Sequence, residues 1–420
     1  MDILRTMGQE TNDTNVAFSP LSISTALAAV MIGSSGDSLL TLRHALYLWG
    51  MHPKQIHEAF HDLLLHLSAN LQATVIEQSK TLLKQETDNE LLFYSSMYVQ
   101  RDYGISYPFQ MYLLKFFNMT VHLVDFHRNG EEIKNHINAI IAKKTSGKIL
   151  EILPNNLEIT TSMLFLNGVY FQGLLDMDMT VIEDCSSGDV PPDMYFNNNG
   201  FNNDLVLLEA RKVRVRYVED NYLNCKAVEV PFKGSFLSMV VLLPNDPEGM
   251  SLLETRLSAQ RLNDVMFNME VKRINLQIPR IRLENTYQNL SHILRSMEIT
   301  NIFNPGHANL SGMSKFRWLH VTDIIHKTYI EIKETESEAA LATSADEDAF
   351  NMKLNKPFLY FIMDNISGLS IVISPVQECT GECGDFGDSI EPLQAGSYTG
   401  SADMGVEKAW GHAEPMDGLQ

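Results

Sequence analysis

The apolar positions of this chain fall at helical spacing first and at strand spacing later. Between Lys54 and Leu67, the residues Ile56, Phe60, Leu63, Leu64 and Leu67 recur every three or four positions and line one face of a helix. Residues 131–153 repeat the pattern: Ile133, Ile137 and Ile140 or Ile141 form a stripe, and Gly147 stands where the helix should end. From Thr161 the texture changes. The runs MLFLNGVYF, AVEVPF, SFLSMVVLLP and INLQIPRIRL are short and rich in β-branched and aromatic residues, which predicts strands. An unbroken run such as SMVVLLP predicts a strand buried on both faces. The alternation in Arg211-Lys212-Val213-Arg214-Val215-Arg216 predicts an edge or half-exposed strand with a solvated basic face. SHILRSM returns to helical spacing. Helices first and strands later, with no internal repeat, predict an α+β fold and not a doubly wound sheet.

One segment fits neither helix, strand nor ordinary loop. Glu334-Thr335-Glu336-Ser337-Glu338-Ala339-Ala340-Leu341-Ala342-Thr343 lies between a strand-like run and the closing NKPFLYFIMDN, where a surface loop is expected. Loops are normally built from Gly, Pro, Asn and Asp, because turns need special backbone angles. This one has small side chains and neither Gly nor Pro. Alternation places Ser337, Ala339, Leu341, Thr343 and Ala345 on one face, and Glu338, Ala340, Ala342 and Ser344 on the other. It is a loop equipped to become a strand.

The chain has 420 residues and a formal net charge of -20, which argues against nonspecific nucleic-acid or anionic-membrane binding. No apolar run reaches the roughly 20 residues that span a bilayer, and the first residues carry no signal-like apolar stretch. The Asn-x-Ser/Thr triplets at Asn12, Asn118, Asn289, Asn309 and Asn365 are no more than an Asn-rich sequence gives by chance. Cys185, Cys225, Cys379 and Cys383 make no disulfide framework. Residues 378–420 carry nine acidic residues against one lysine, with many Gly and Ser, so we expect an acidic, disordered tail behind a domain of residues 1–377.

The chemistry-bearing strings point to no enzyme. His57-Glu58-Ala59-Phe60-His61 spells H-E-x-x-H, which on a helix sets two imidazoles one turn apart with a Glu as base for a zinc peptidase. No third His follows at the matching spacing; Glu77 is a more distant candidate. A five-residue string arises readily by chance, and surface and packing residues are the better account. No G-x-S-x-G, phosphate-loop or dinucleotide pattern occurs. We expect no metal and no cofactor.

From Met1 to about Gln377 the chain resembles the serpins. NVAFSPLSIS (Asn15 to Ser24), QIHEAFHDLL, HINAIIAKKTSGKI, FLNGVYFQG, KAVEVPFKGSFLSMVVLLP, IPRIRL, NLSGM, HKTYIEIKETESEAALAT and NKPFLYFIMDN follow in the family's order and spacing. RVRYVEDNYLNCKAVEVPF is similar to the ovalbumin-like, often intracellular, branch. The resemblance implies three β-sheets, eight or nine helices and an exposed reactive-centre loop at about residues 334–354. It implies a monomer that inhibits a target serine or cysteine protease as a suicide substrate, the cut loop inserting into the main sheet. The hinge corresponds to Glu334 through Thr343. A hydrogen-bonded latch beneath the central strands corresponds to Ser19, Ser22, Asn167 and His326. The family holds both secreted and cytosolic members, and we lean slightly toward the extracellular space.

The sequence departs from the family's pattern at several points. Glu336 stands where Gly is favoured, before the first inserting residue, Ser337. Leu341 replaces a small inward residue, and overpacking costs about 1–3 kcal/mol. Glu347 faces inward late in insertion. Leu175 and Ile140 occupy positions where Trp is expected, the loop is short by about four residues against the family's pattern, and the first helix lacks its N-terminal half. Counting forward from Ser337 puts the scissile bond at Phe350-Asn351; counting back from NKPF gives Asp346-Glu347, and Lys353-Leu354 would suit a trypsin-like enzyme. The rival expectation is a serpin-folded protein that does not inhibit and serves in binding, storage or as a chaperone-like module.

Overall fold

The computed structural model describes residues 1–10, 15–78, 89–145, 147–184, 206–234, 236–336 and 350–377. Nine α-helices occur among them: α1 (Asp2–Glu10), α2 (Pro20–Ile32), α3 (Gly36–Ala45), α4 (Pro53–Gln78), α5 (Tyr107–Phe117), α6 (Phe126–Lys144), α7 (Met250–Arg256), α8 (Ala259–Phe267) and α9 (Leu290–Ser296). The strands begin with β1 (Asn89–Gln100), β2 (Thr120–Val124), β3 (Met163–Asp184), β4 (Val206–Asp220), β5 (Cys225–Pro231) and β6 (Leu237–Pro244). They continue with β7 (Glu270–Pro279), β8 (Arg282–Tyr287), β9 (Asp323–Glu336), β10 (Phe350–Lys353), β11 (Phe358–Asp364) and β12 (Leu369–Val376). The expected tail, 378–420, lies outside the described residues.

The strands form three sheet regions joined by two long strands that serve more than one of them. The first runs β2-β1-β3-β9-β8. The far half of β3 passes to β4, which with β7 and β10 forms the second. The later half of β4 leads through β5, β6 and β11 to β12. This explains why β3 outruns the apolar string that predicted it. Its first half is buried on both faces and pairs on both sides; beyond Leu175 the sequence turns to alternation, as the strand enters the second region.

Most helical and strand expectations hold, though the run INLQIPRIRL divides between β7 and β8. In α6, Ile133, Ile137 and Ile141 are buried, while Ile140 is half-buried. Gly147, just beyond the helix, has φ +80, a backbone a side chain would strain. Every residue of β6 is buried, as its unbroken apolar run required. Residues 211–217 alternate in burial but pair with β7 inside the sheet, so the half-exposed reading holds and the edge reading does not. A buried cluster under α6, including Phe126, Ile137, Leu166 and Tyr329, seals that helix onto the first sheet region.

Candidate functional site

The centre of the first sheet region is a seam between two parallel strands. β3 and β9 pair in unbroken register from Leu164 opposite Asp323 to Leu174 opposite Lys333. In that register Asn167 faces His326 and Gly168 faces Lys327. Parallel pairing is slightly less stable per residue than antiparallel.

All four expected latch residues meet at this seam and are buried. Ser19 caps the N-terminus of α2: its Oγ accepts the Ser22 backbone N–H at 3.2 Å, and Pro20 follows at the first helical position. The preceding residue holds the helix start in place, since Phe18 and Ile373 exchange backbone bonds of 3.0 and 2.9 Å. The Ser19 N–H donates to His326 Nε2 at 3.0 Å, which makes that nitrogen the acceptor. Nδ1 then carries the proton and donates to Asn167 Oδ1 at 2.5 Å. The same oxygen accepts from Ser22 Oγ at 3.2 Å. The network therefore ties three distant chain segments together and crosses the seam through the Asn167–His326 bond. Burial takes the His326 imidazole down to about 3, so it is neutral here at ordinary pH.

Two latch neighbours escaped sequence reasoning. Thr328 Oγ1 lies 2.9 Å from His326 Nε2, and the Tyr287 ring stacks on the imidazole at 6.3 Å and 16°. Thr328 was in principle readable, because i and i+2 share a strand face. Tyr287 was not, because it comes from β8.

The described part of the hinge closes the top of the seam. Glu334, with its carboxylate nearly buried, pairs with Arg280, and Thr335 Oγ1 donates to the Leu175 carbonyl at 3.4 Å. Leu175 itself is fully buried and bridges to Phe232. The Glu336 backbone still pairs with Met179. Hinge residues Ser337, Glu338, Ala339, Ala340, Leu341, Ala342 and Thr343 lie outside the described residues, as do Asp346 and Glu347.

Phe350 and Asn351 stand at the head of β10, paired in parallel with Ile274 and Asn275 of β7. The Phe350 ring packs 5.1 Å from that of Tyr217 with Lys226 Nζ 4.8 Å from its centroid, and Asn351 Oδ1 accepts from Asn275 Nδ2 at 2.8 Å.

The H-e-x-x-h string is absorbed into packing. His57 is buried, bonds to the Tyr112 hydroxyl and sits edge-on to its ring, while His61 packs against Phe116 at 5.8 Å. Glu58 pairs with Lys54 at 3.7 Å. Among the described residues no group of three or more His, Cys, Asp or Glu side chains is arranged to hold a metal ion.

Comparison with known proteins agrees with this architecture. The family described as Serpin (serine protease inhibitor) matches residues 1–378. The chain belongs to the serpin family. This serpin is 29% identical over 382 residues to horse (Equus caballus) leukocyte elastase inhibitor, covering 87% of this chain and 94% of that one. It is 29% identical over 371 residues to human Serpin B3, covering 85% and 92%. Its fold is similar to that of uncleaved ovalbumin, with a TM-score of 0.73, 21% identity, and 89% and 96% of the two chains covered. The two curated relatives bear out the likeness to the ovalbumin-like branch, and one of them is named as an elastase inhibitor. The lean toward the extracellular space finds no support in these relatives.

Proposed function

We propose that this serpin inhibits a serine-type endopeptidase as a suicide substrate: the protease cuts the segment after β9, and the freed strand enters the β3–β9 seam. It acts as an inhibitor and not as an enzyme. The observation that carries the reading is the parallel pairing of β3 and β9 directly ahead of segment 337–349. A strand turning back from Glu336 into that seam runs antiparallel to both neighbours. One parallel ladder is then exchanged for two antiparallel ones. At about 1 kcal/mol net per hydrogen bond, about a dozen inserted residues give on the order of 10 kcal/mol. That exceeds the cost of about 1–3 kcal/mol for overpacking at Leu341.

The latch fits this reading because it makes the closed seam a kinetic trap. Widening the seam separates Asn167 from His326, and the network must break before the new strand can form its bonds. The hinge Glu334–Thr343 supplies the small side chains for entry. We place the scissile bond at Phe350-Asn351, with Asp346-Glu347 as the competing site.

A second reading, a serpin that binds or stores without inhibiting, is favoured by the position of Phe350 and Asn351 within β10. A protease takes its substrate as an extended strand, so the head of β10 must peel from β7 before a cut there. One experiment separates the two. The protein is incubated with chymotrypsin, trypsin, elastase and a cathepsin, and run on a denaturing gel. Inhibition gives a complex that survives boiling in SDS, and cleaved protein with a higher thermal midpoint. Clean cleavage at an unchanged midpoint refutes inhibition. Mass spectrometry of the released C-terminal fragment identifies the bond.

A further inference from the structure

The face of the first sheet region beneath α6 has a gap where a side chain is missing. Tyr94 on β1, Gly168 on β3 and Lys327 on β9 form one row across the strands, since Tyr94 is paired with Gly168 and Gly168 with Lys327. Gly168 leaves the middle of that row empty. A hollow of about 170 Å³ lies there, bordered by Leu92 and Tyr170 and roofed by Ile141, Ile149 and Ile152. Its walls are predominantly apolar. An apolar cavity of about 150 Å³ holds a benzene-sized guest.

The charges around the hollow are uneven. Lys327 is almost fully buried and is neutralised by Glu284, whose Oε1 is 2.5 Å from its Nζ. Glu331, further along β9, pairs with Lys148 at 3.6 Å. Lys144, at the end of α6, is different: it lines the hollow and its Nζ lies 4.8 Å from the centroid of the Tyr94 ring. It has no carboxylate partner among the described residues, and it is exposed. The nearby His122 titrates low because of burial first, and then because of His136 and Lys144, so basic groups surround this side.

We propose that the hollow is a binding site for a compact apolar carboxylate of about benzoate size, its ring over Gly168 and its carboxylate on Lys144. The volume admits one ring. Lys144, the rim cation without a carboxylate partner among the described residues, selects an anion, and the apolar walls reject inorganic ions. Because Gly168 and Lys327 face each other across the β3–β9 seam, a bound ring bridges both strands. A widened seam moves those walls apart. The ligand therefore binds the closed form and slows strand entry, a consequence that rests on the inhibitory reading above.

The test is a ¹⁹F NMR titration of the full chain with 4-fluorobenzoate, using 4-fluorobenzyl alcohol as the neutral probe. Saturable one-site binding of the acid is expected. Lys144→Gln should weaken the acid about tenfold, the loss expected for one charge-assisted hydrogen bond, and leave the alcohol unchanged. Gly168→Ala should weaken both probes at least tenfold, because a methyl there occupies the ring's place. Its Cβ would sit 3.1 Å from the Lys327 carbonyl oxygen, so Lys144→Gln, at an exposed position, keeps the test decisive if that variant folds poorly. Absence of saturable binding, or wild-type acid affinity in Lys144→Gln, overturns the site. Loop-cleaved protein with a raised thermal midpoint should bind at least tenfold more weakly; equal affinity overturns the seam-bridging claim. Cleavage without a raised midpoint refutes insertion, while the titration of uncleaved protein still decides the site.

Discussion

His326 makes the latch sensitive to acid, and the size of the effect follows from its burial. In the closed seam its pKa is about 3, against an ordinary value of 6.5, because desolvation disfavours the imidazolium. Once opening lets water in, the ring recovers its ordinary basicity. The opened state then binds a proton below pH 6.5 that the closed state refuses until about pH 3. Closed-state stability contributed by this group is therefore complete above neutral pH and is lost as pH falls through that window. At pH 5 the loss is about 2 kcal/mol, and in full about 5 kcal/mol. The perturbation is His326→Gln, which keeps a polar side chain but does not titrate. Urea midpoints of the uncleaved protein are measured between pH 8 and pH 5 for both forms. The other histidines cancel in the difference, as distant sites usually add independently. Wild type should lose about 2 kcal/mol more than the variant by pH 5. Parallel pH curves would show that burial does not depress His326 in the closed form, and the acid sensitivity of the latch would fail.

Three further outcomes test neighbouring parts of the site. Asn167→Ala removes the oxygen that accepts from both Ser22 and His326, leaving two buried donors unpaired; a loss of about 2–5 kcal/mol in urea unfolding is expected. Arg280→Met strands the buried Glu334 carboxylate and should cost about 3 kcal/mol, read as a lower thermal midpoint, with Glu334→Gln in the same chain restoring most of it. Glu336→Gly should raise the share of cleavage events that end in an SDS-stable complex, since a flexible, uncharged residue eases the turn into the seam; an unchanged share would show that Glu336 does not limit insertion.

Much of the fold was legible because local pattern and burial agree. The stripe of α6, the stop near Gly147 and the buried run of β6 each follow from periodicity alone. The half-exposed alternation of residues 211–217 was legible too, but its place inside a sheet was not, because partners are chosen by tertiary contacts. The latch reached the sequence reading through resemblance and not through chemistry: Ser, Asn and His are common, and nothing local says that residues 19, 167 and 326 meet. Tyr287, from β8, was missed for the same reason, whereas Thr328 shares a strand face with His326 and was within reach. The hollow over Gly168 could not be read at all. A glycine in a strand is only a missing side chain until its two neighbouring strands are known.

The seam also has a consequence for synthesis on the ribosome. Its two walls are separated by the residues between Asp184 and Asp323, so β3 waits for a parallel partner until that whole stretch has been made. Residues 337–349 emerge directly behind β9, and β11, which packs fully buried between β6 and β12, follows only at Phe358. The nascent chain thus offers β3 its correct neighbour and a competitor for the same edge in quick succession. Under the proposed insertion mechanism, whichever docks first decides between an armed molecule and one spent before release, so a translational pause after β9 should favour the armed form.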